Sequence, residues 1–270
     1  MIKKFGAIAY TFWDYYTAED ASEEKVRKAL LGMKKAGYDE IQLAALGKFS
    51  IDQWSDFVKE ADLKVIGTHW DHDEMLDNTE EAIRKHKEYF DTDTMGFVSL
   101  PIASVLDKKE LFAFLDKFNK MTEIVKKHNF KITMHNHHWE FYKVDGKKTA
   151  MDYFMEETDP EVAFSCFDTY WAQYAGVNPV EFIKKYAGRI DVLHMKDMKL
   201  EYTPKEVMHS TCYGPMITEI GNGNLNWHEI VKASVESGVN HFCVEQDVCP
   251  GDPVDSLKIS ADYIKANFVK

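Results

Sequence analysis

The sequence predicts an α/β fold of the (β/α)8 barrel class, in one domain spanning residues 1–270. Three observations carry that expectation. Short apolar runs alternate with longer stretches of helical periodicity, eight times over, in the roughly 250 residues typical of such barrels. The apolar runs are continuous rather than alternating with polar residues, as in parallel strands covered on both faces. No linker interrupts the alternation. A doubly wound open sheet is the runner-up. Its nucleotide-binding form would carry G-x-G-x-x-G after the first strand, and that motif is absent there.

The units follow in order. Residues 5–10 (FGAIAY) form the first run, and the helix over residues 23–36 places Val26, Leu30 and Met33 on one face. Residues 40–45 (EIQLAA) come next, and Ser50 with Gln53 opens a helix as a capping box. Residues 64–70 (KVIGTHW) form the third run, with Asn78 and Glu81 expected to cap the following helix. The fourth run is residues 97–102 (FVSLPI), and Asp107 with Glu110 starts a long helix carrying Leu111, Phe114, Leu115, Phe118 and Val125. Residues 131–135 form the fifth run, before a short helical segment over residues 149–156. Residues 162–168 (VAFSCFD) are the sixth, followed by a helix with Pro179 in its first turn. Residues 190–194 (IDVLH) are the seventh, and Asn226 with Glu229 caps the next helix. Residues 241–245 (HFCVE) are the eighth, and Asp252-Pro253 begins a closing helix.

Composition narrows the class of function. Apolar residues make up 45% of the chain, enough for a substantial core. Thirty-three basic against 45 acidic residues leave a net charge of −12, which disfavours nucleic-acid partners. Cys166, Cys212, Cys243 and Cys249 form no C-x-x-C pair, so a zinc knuckle is not expected, and Cys166 and Cys243 read as buried thiols. No run approaches the ~20 apolar residues of a membrane span, and the first residues lack a signal-peptide core. A reduced, cytoplasmic setting without a membrane partner is the expectation.

Chemistry in this fold sits where strands end on the C-terminal face. The third run ends in Thr68-His69-Trp70-Asp71-His72, and the fifth in His135-Asn136-His137, with Glu140 just beyond. The sixth ends in Asp168, the seventh in His194 before Lys196 and Asp197, and the eighth in Glu245. Taken singly, Asp168 reads as a helix cap, His194 as a core histidine, His135 as barrel filling, and Trp70, Trp139 and Trp171 as packing. Four such strand ends together are harder to explain, because buried carboxylates without partners are costly. A divalent cation would partner them. Three carboxylates and one imidazole suit six-coordinate Mn2+, with Mg2+, Co2+ or Zn2+ as alternatives.

Several segments carry a family likeness. HNHHWEF is similar to H-N-H-x-x-E-F. FDTYWAQYAGVNPVEFIKKYAGRIDVLHMKD is similar to D-x-x-W…A-G-x-D-P…Y-x-G-R-I…H-x-K-D. EIGNGNLNW and FCVEQD match E-x-G-x-G-x-x-x-W and V-E-Q-D. On these segments the chain resembles the xylose isomerase-like TIM barrels, in their sugar phosphate isomerase/epimerase group of inosose dehydratase-like and tagatose 3-epimerase-like proteins. The likeness is close in the C-terminal half and mainly one of layout in the N-terminal half. It implies metal ligands at Glu140, Asp168, His194 and Glu245. Several relatives place the first ligand nearer His135, so either Glu140 reaches back or a histidine substitutes. It also implies catalytic roles for Glu140, Glu245 and His137, and substrate contacts from His69, His72, Lys196 and Trp171. Residues 200–215 lengthen the seventh loop, as a lid, a subunit contact or part of the pocket.

Such a site favours proton abstraction next to a carbonyl, with the metal stabilising an enediolate. Epimerisation or isomerisation of a ketose or keto-sugar is the first expectation. Elimination from a keto-inositol or 3-keto-glycoside, including carbon-linked glycosides, is the second. A non-catalytic sugar-binding or complex-forming subunit and an apurinic-site endonuclease are weaker alternatives, the last opposed by the acidic charge, and a homo- or hetero-oligomer is left open under every reading.

Overall fold

The computed structural model describes residues 1–202 and 213–269. Ten strands run in chain order: β1 (Gly6–Ile8), β2 (Glu40–Ala44), β3 (Lys64–His69), β4 (Thr94–Phe97), β5 (Lys131–His135), β6 (Ala163–Asp168), β7 (Ile190–Met195), β8 (Asp197–Tyr202), β9 (Tyr213–Thr218) and β10 (His241–Val244). Eight of them close a parallel barrel in the order β1-β10-β7-β6-β5-β4-β3-β2, while β8 and β9 form a separate antiparallel ribbon. The expected (β/α)8 architecture is therefore present.

Helix Glu23–Ala36 shows how local sequence builds the outer ring. The Ser22 hydroxyl accepts the amide of Lys25, acids occupy the first turn and lysines the last, and Gly37 ends the helix at φ 100°. Val26, Leu30 and Met33 are buried on its inner face, each contributing about 1.5–3 kcal/mol. Helix Ile51–Glu60 starts with the full capping box of Ser50 and Gln53, and Asp107, Asn178, Asn226 and Asp252 cap their helices as expected.

Local differences have local causes. Only residues 6–8 of the first run pair as a strand, because a 3-10 turn, Ala9–Phe12, follows at once. The fourth strand is Thr94–Phe97, upstream of the run read from the sequence; Pro101 sits at the cap of helix Ile102–Leu106 and ends the extended stretch. Asn78 caps nothing with its side chain. It separates helices His72–Asp77 and Thr79–Phe90, and the first of these starts from a cap at Asp71. Helix Thr169–Tyr174, directly after β6, had no counterpart in the sequence reading. The lengthened seventh loop resolves into β8 and β9 at its two roots; its central residues, 203–212, lie outside the described residues.

Inside the barrel, Ile8, Ala44, Ile66, Cys166, Val192 and Cys243 form a small apolar plug. Polar side chains lie above it at the C-terminal ends of the strands. Among the described residues, no helix is long and apolar enough to cross a membrane.

Candidate active site

The polar residues above the plug converge from four neighbouring strands. His135 ends β5, Asp168 ends β6, His194 lies on β7 directly opposite Asp168, and Glu245 follows β10. One ligand atom from each of these four buried residues lies within 4.8 Å of the others, an arrangement able to hold a metal ion. Asp168, His194 and Glu245 thus meet as expected.

Glu140 does not join them. It lies in the 3-10 turn Trp139–Phe141, and its carboxylate folds back on the main chain, taking the amides of Leu100 (2.9 Å) and His137 (2.8 Å). Burial raises its pKa to about 7. The fifth strand is represented instead by His135, whose side chain points into the mouth rather than filling the wall. This changes the donor set from three carboxylates and one imidazole to two of each, so the argument that placed Mn2+ first loses an oxygen.

Hydrogen bonding prepares both imidazoles as ligands. His135 Nδ1 faces the Val98 carbonyl at 3.0 Å, which can only accept, so Nδ1 carries a proton and Nε2 turns to the carboxylates. That Nε2 lies 3.7 Å from Asp168 Oδ2 and 3.6 Å from Glu245 Oε2, and it has no hydrogen-bond partner. The Gln42 amide points its nitrogen at Cys166 Sγ (3.8 Å), leaving its oxygen to accept from His194 Nε2 at 2.5 Å. His194 Nδ1 therefore faces Glu245 Oε2 at 2.6 Å, where lone pairs on both atoms require a shared proton or cation. Asp168 gives Oδ1 to the amide of Trp171 and leaves buried Oδ2 without a partner. Asn136 clasps the Asp168 backbone from both sides, at 3.0 and 3.3 Å. These unpartnered buried atoms and this N,O donor set fit a divalent cation.

Charge balance without a cation falls to Lys196 and His135. Lys196 is buried, with Nζ 2.7 Å from Asp247 Oδ1, 3.6 Å from Asp168 and 3.8 Å from Glu245. Burial would lower its pKa, but Glu245, Asp168 and Asp247 outweigh it and hold it above the usual lysine range. Burial likewise opposes a charge on His135, yet Asp168 and Glu245 raise it to about 10. Burial pushes Asp247 up to about 6, assisted by Glu245.

The remaining expected residues divide. Trp171 lies beside the group, its ring under Lys196 Nζ at 5.1 Å. His137 stacks on Trp139 at 4.1 Å, with its ring 4.8 Å from that of His135, and burial lowers its pKa to about 2. His69 reaches the group, with ring centroids 5.2 Å from His135 and 5.7 Å from His194. His72 is set apart: it begins a helix and packs on Phe97 at 4.6 Å. Gln42, Asn136 and Asp247 were missed as site residues. The signal for Gln42 was a polar residue inside the apolar run EIQLA.

Behind the site, Asp197 turns away from the mouth. Its carboxylate accepts from the amides of Met198, Gly221, Gly223 and Leu225 and from the indole of Trp227. This explains the glycines of EIGNGN. Gly221 has φ 93°, and a Cβ on Gly223 would lie 2.2 Å from Asp197 Oδ1. Glu219 of the same segment is held by Ser256 and Gln246, tying that turn to the residue after Glu245.

Known proteins share this fold. The xylose isomerase-like TIM barrel family matches residues 32–267, and the chain belongs to that family. The inosose dehydratase of Geobacillus kaustophilus (strain HTA426) is 27% identical over 167 residues, covering 59% of this chain and 53% of that protein. The chain spans about half the length of the curated relatives first matched. A sugar phosphate isomerase/epimerase from Parabacteroides distasonis ATCC 8503 superposes with a TM-score of 0.76 at 23% identity, covering 99% of this chain and 96% of that one. A D-allulose 3-epimerase from Methylomonas sp. gives a TM-score of 0.68 at 13% identity, covering 98% of each chain. These superpositions define the shared fold.

Proposed function

We propose that the protein is a metal-dependent enzyme that removes a proton next to a carbonyl of a ketose or keto-sugar, acting as an isomerase or epimerase. One observation carries this reading: His135 Nε2 and Asp168 Oδ2 are buried without a hydrogen-bond partner and converge with His194 and Glu245 within 4.8 Å. A divalent cation held by those four residues would act as a Lewis acid on the oxygens flanking the reacting carbon.

The chain's own groups supply the remaining chemistry. Glu245 is the base best placed to take a proton at the mouth, since Glu140 is engaged by two amides. Lys196 Nζ, held by Asp247, is aimed at the carboxylate pair and steadies negative charge on a substrate oxygen. His137, stacked on Trp139, and Trp171 form the adjacent side wall against which a sugar ring can lie. A second reading, elimination from a keto-inositol or 3-keto-glycoside, has its own support. Lys196 is a buried acid close to the base, able to protonate a leaving oxygen, and the curated relatives above are inosose dehydratases.

The test begins with calorimetric titration of metal-free protein with Mn2+, Mg2+, Co2+ and Zn2+. The expected result is one site per chain, lost in Asp168→Asn. A panel of ketoses, inososes and 3-keto-glycosides is then incubated in deuterated water. Solvent deuterium in an epimer or isomer supports the first reading; an enone or a released aglycone supports the second. Absence of a metal site, or full activity in Glu245→Gln, would overturn the mechanism.

A further inference from the structure

The mouth has a second wall that the four converging residues do not use. Tyr10 and Trp13 after β1, Ala44 and Leu46 at the end of β2, Trp70 after β3 and Val98 after β4 line a cleft of about 380 Å³. That volume falls within the range of small-molecule sites, roughly 300–1,000 Å³. Tyr10 and Val98 are 38% and 41% exposed, so the wall is open to an incoming ligand.

The cleft adjoins the polar group through two of its lining residues. His69 lines it and also stands 5.2 Å, ring to ring, from His135. Its Nε2 is buried without a hydrogen-bond partner at the junction of the two regions. Val98 makes a second link, since its side chain lines the cleft while its carbonyl holds His135 Nδ1. Asp71, at the rim, is already engaged in capping a helix. A hydroxyl-covered ligand seated here would lose hydration without new partners along most of the wall. An aryl or alkyl group would lose none.

We propose that this cleft receives the apolar aglycone of a glycoside whose sugar ring lies at His135, Asp168, His194 and Glu245. The proposal rests on the reading of the mouth as a sugar site and specifies the substrate class. His69 marks the junction between the two parts of the ligand.

Phenyl β-D-glucoside and methyl β-D-glucoside are the probes, titrated calorimetrically into the whole protein without turnover. The expected result is at least tenfold tighter binding of the phenyl compound. In Leu46→Gln and Val98→Asp the ratio falls below threefold, with circular dichroism unchanged. In Asp168→Asn the ratio is retained. Equal binding of the two glucosides, no binding of the phenyl glucoside at millimolar concentration, or a ratio preserved in both cleft variants overturns the proposal. A phenyl preference in protein that binds no divalent cation would remove the metal mechanism while leaving the cleft assignment standing.

Discussion

The two halves of the barrel mouth are built from opposite chemistry. β5, β6, β7 and β10 present His135, Asp168, His194, Lys196 and Glu245, all buried and mutually within a few ångströms. β1 to β4 present Tyr10, Trp13, Leu46, Trp70 and Val98, with His69 at the boundary. The strand bodies are alike, so the difference lies in the residues at and just beyond the C-terminal end of each strand. One half is arranged to concentrate charge, the other to exclude water from a ligand's apolar face. A substrate spanning both would be oriented by the contrast itself.

The largest expected effect breaks the polar half. Glu245→Gln should lower turnover by about 10²–10⁴-fold, the usual range for loss of a proton-transfer group. Steady-state rates on whichever panel compound is active measure it. Asn136→Ala leaves every charged group in place but frees the Asp168 backbone, and calorimetry should show metal affinity weakened about 10–100-fold.

Next comes the turn behind the polar half. Asp197→Ala strands the buried indole N–H of Trp227, at a cost of about 1–3 kcal/mol, and four part-buried amides whose loss water in part recovers. A loss of about 3 kcal/mol in chemical denaturation is expected. Gly223→Ala, which cannot fit beside Asp197, should be destabilising in the same assay.

The apolar half is sharpened by acid. His86 is buried between Thr68 Oγ1 and the Ala82 carbonyl, with its ring 4.8 Å from Trp70. Burial lowers its pKa from 6.5 to about 4. The unfolded chain therefore binds a proton that the folded one refuses, and stability rises with pH across that interval. The contribution is present above pH 6.5 and lost as pH falls through 4, about 3 kcal/mol in all. The slope of unfolding free energy against pH should flatten correspondingly in His86→Gln. The smallest effect is the change in aglycone preference in Leu46→Gln, which leaves charge and fold untouched.

The same contrast decided what the sequence could disclose. Asp168, His194 and Glu245 were legible because each ends an apolar run with a group that has no place in a core. His135 and Glu140 were not separable, since both carry suitable chemistry within six residues. The turn at Trp139–Phe141 decides which of them faces the mouth, by sending Glu140 back onto two amides. The apolar wall was not legible, because Leu46 and Val98 carry no chemical signal of their own until the ends of β2, β3 and β4 bring them to one cleft. Asp197 was visible beside Lys196, but the alternation that turns one to the mouth and the other away from it is a property of the folded junction between β7 and β8.

That alternation has a consequence for how the protein can vary. Lys196 Nζ stands among Asp168, Glu245 and Asp247 while its neighbour Asp197 ties the root of the β8–β9 ribbon to the turn over residues 221–227, so a substitution at one tests the mouth and a substitution at the other tests the anchoring of the ribbon.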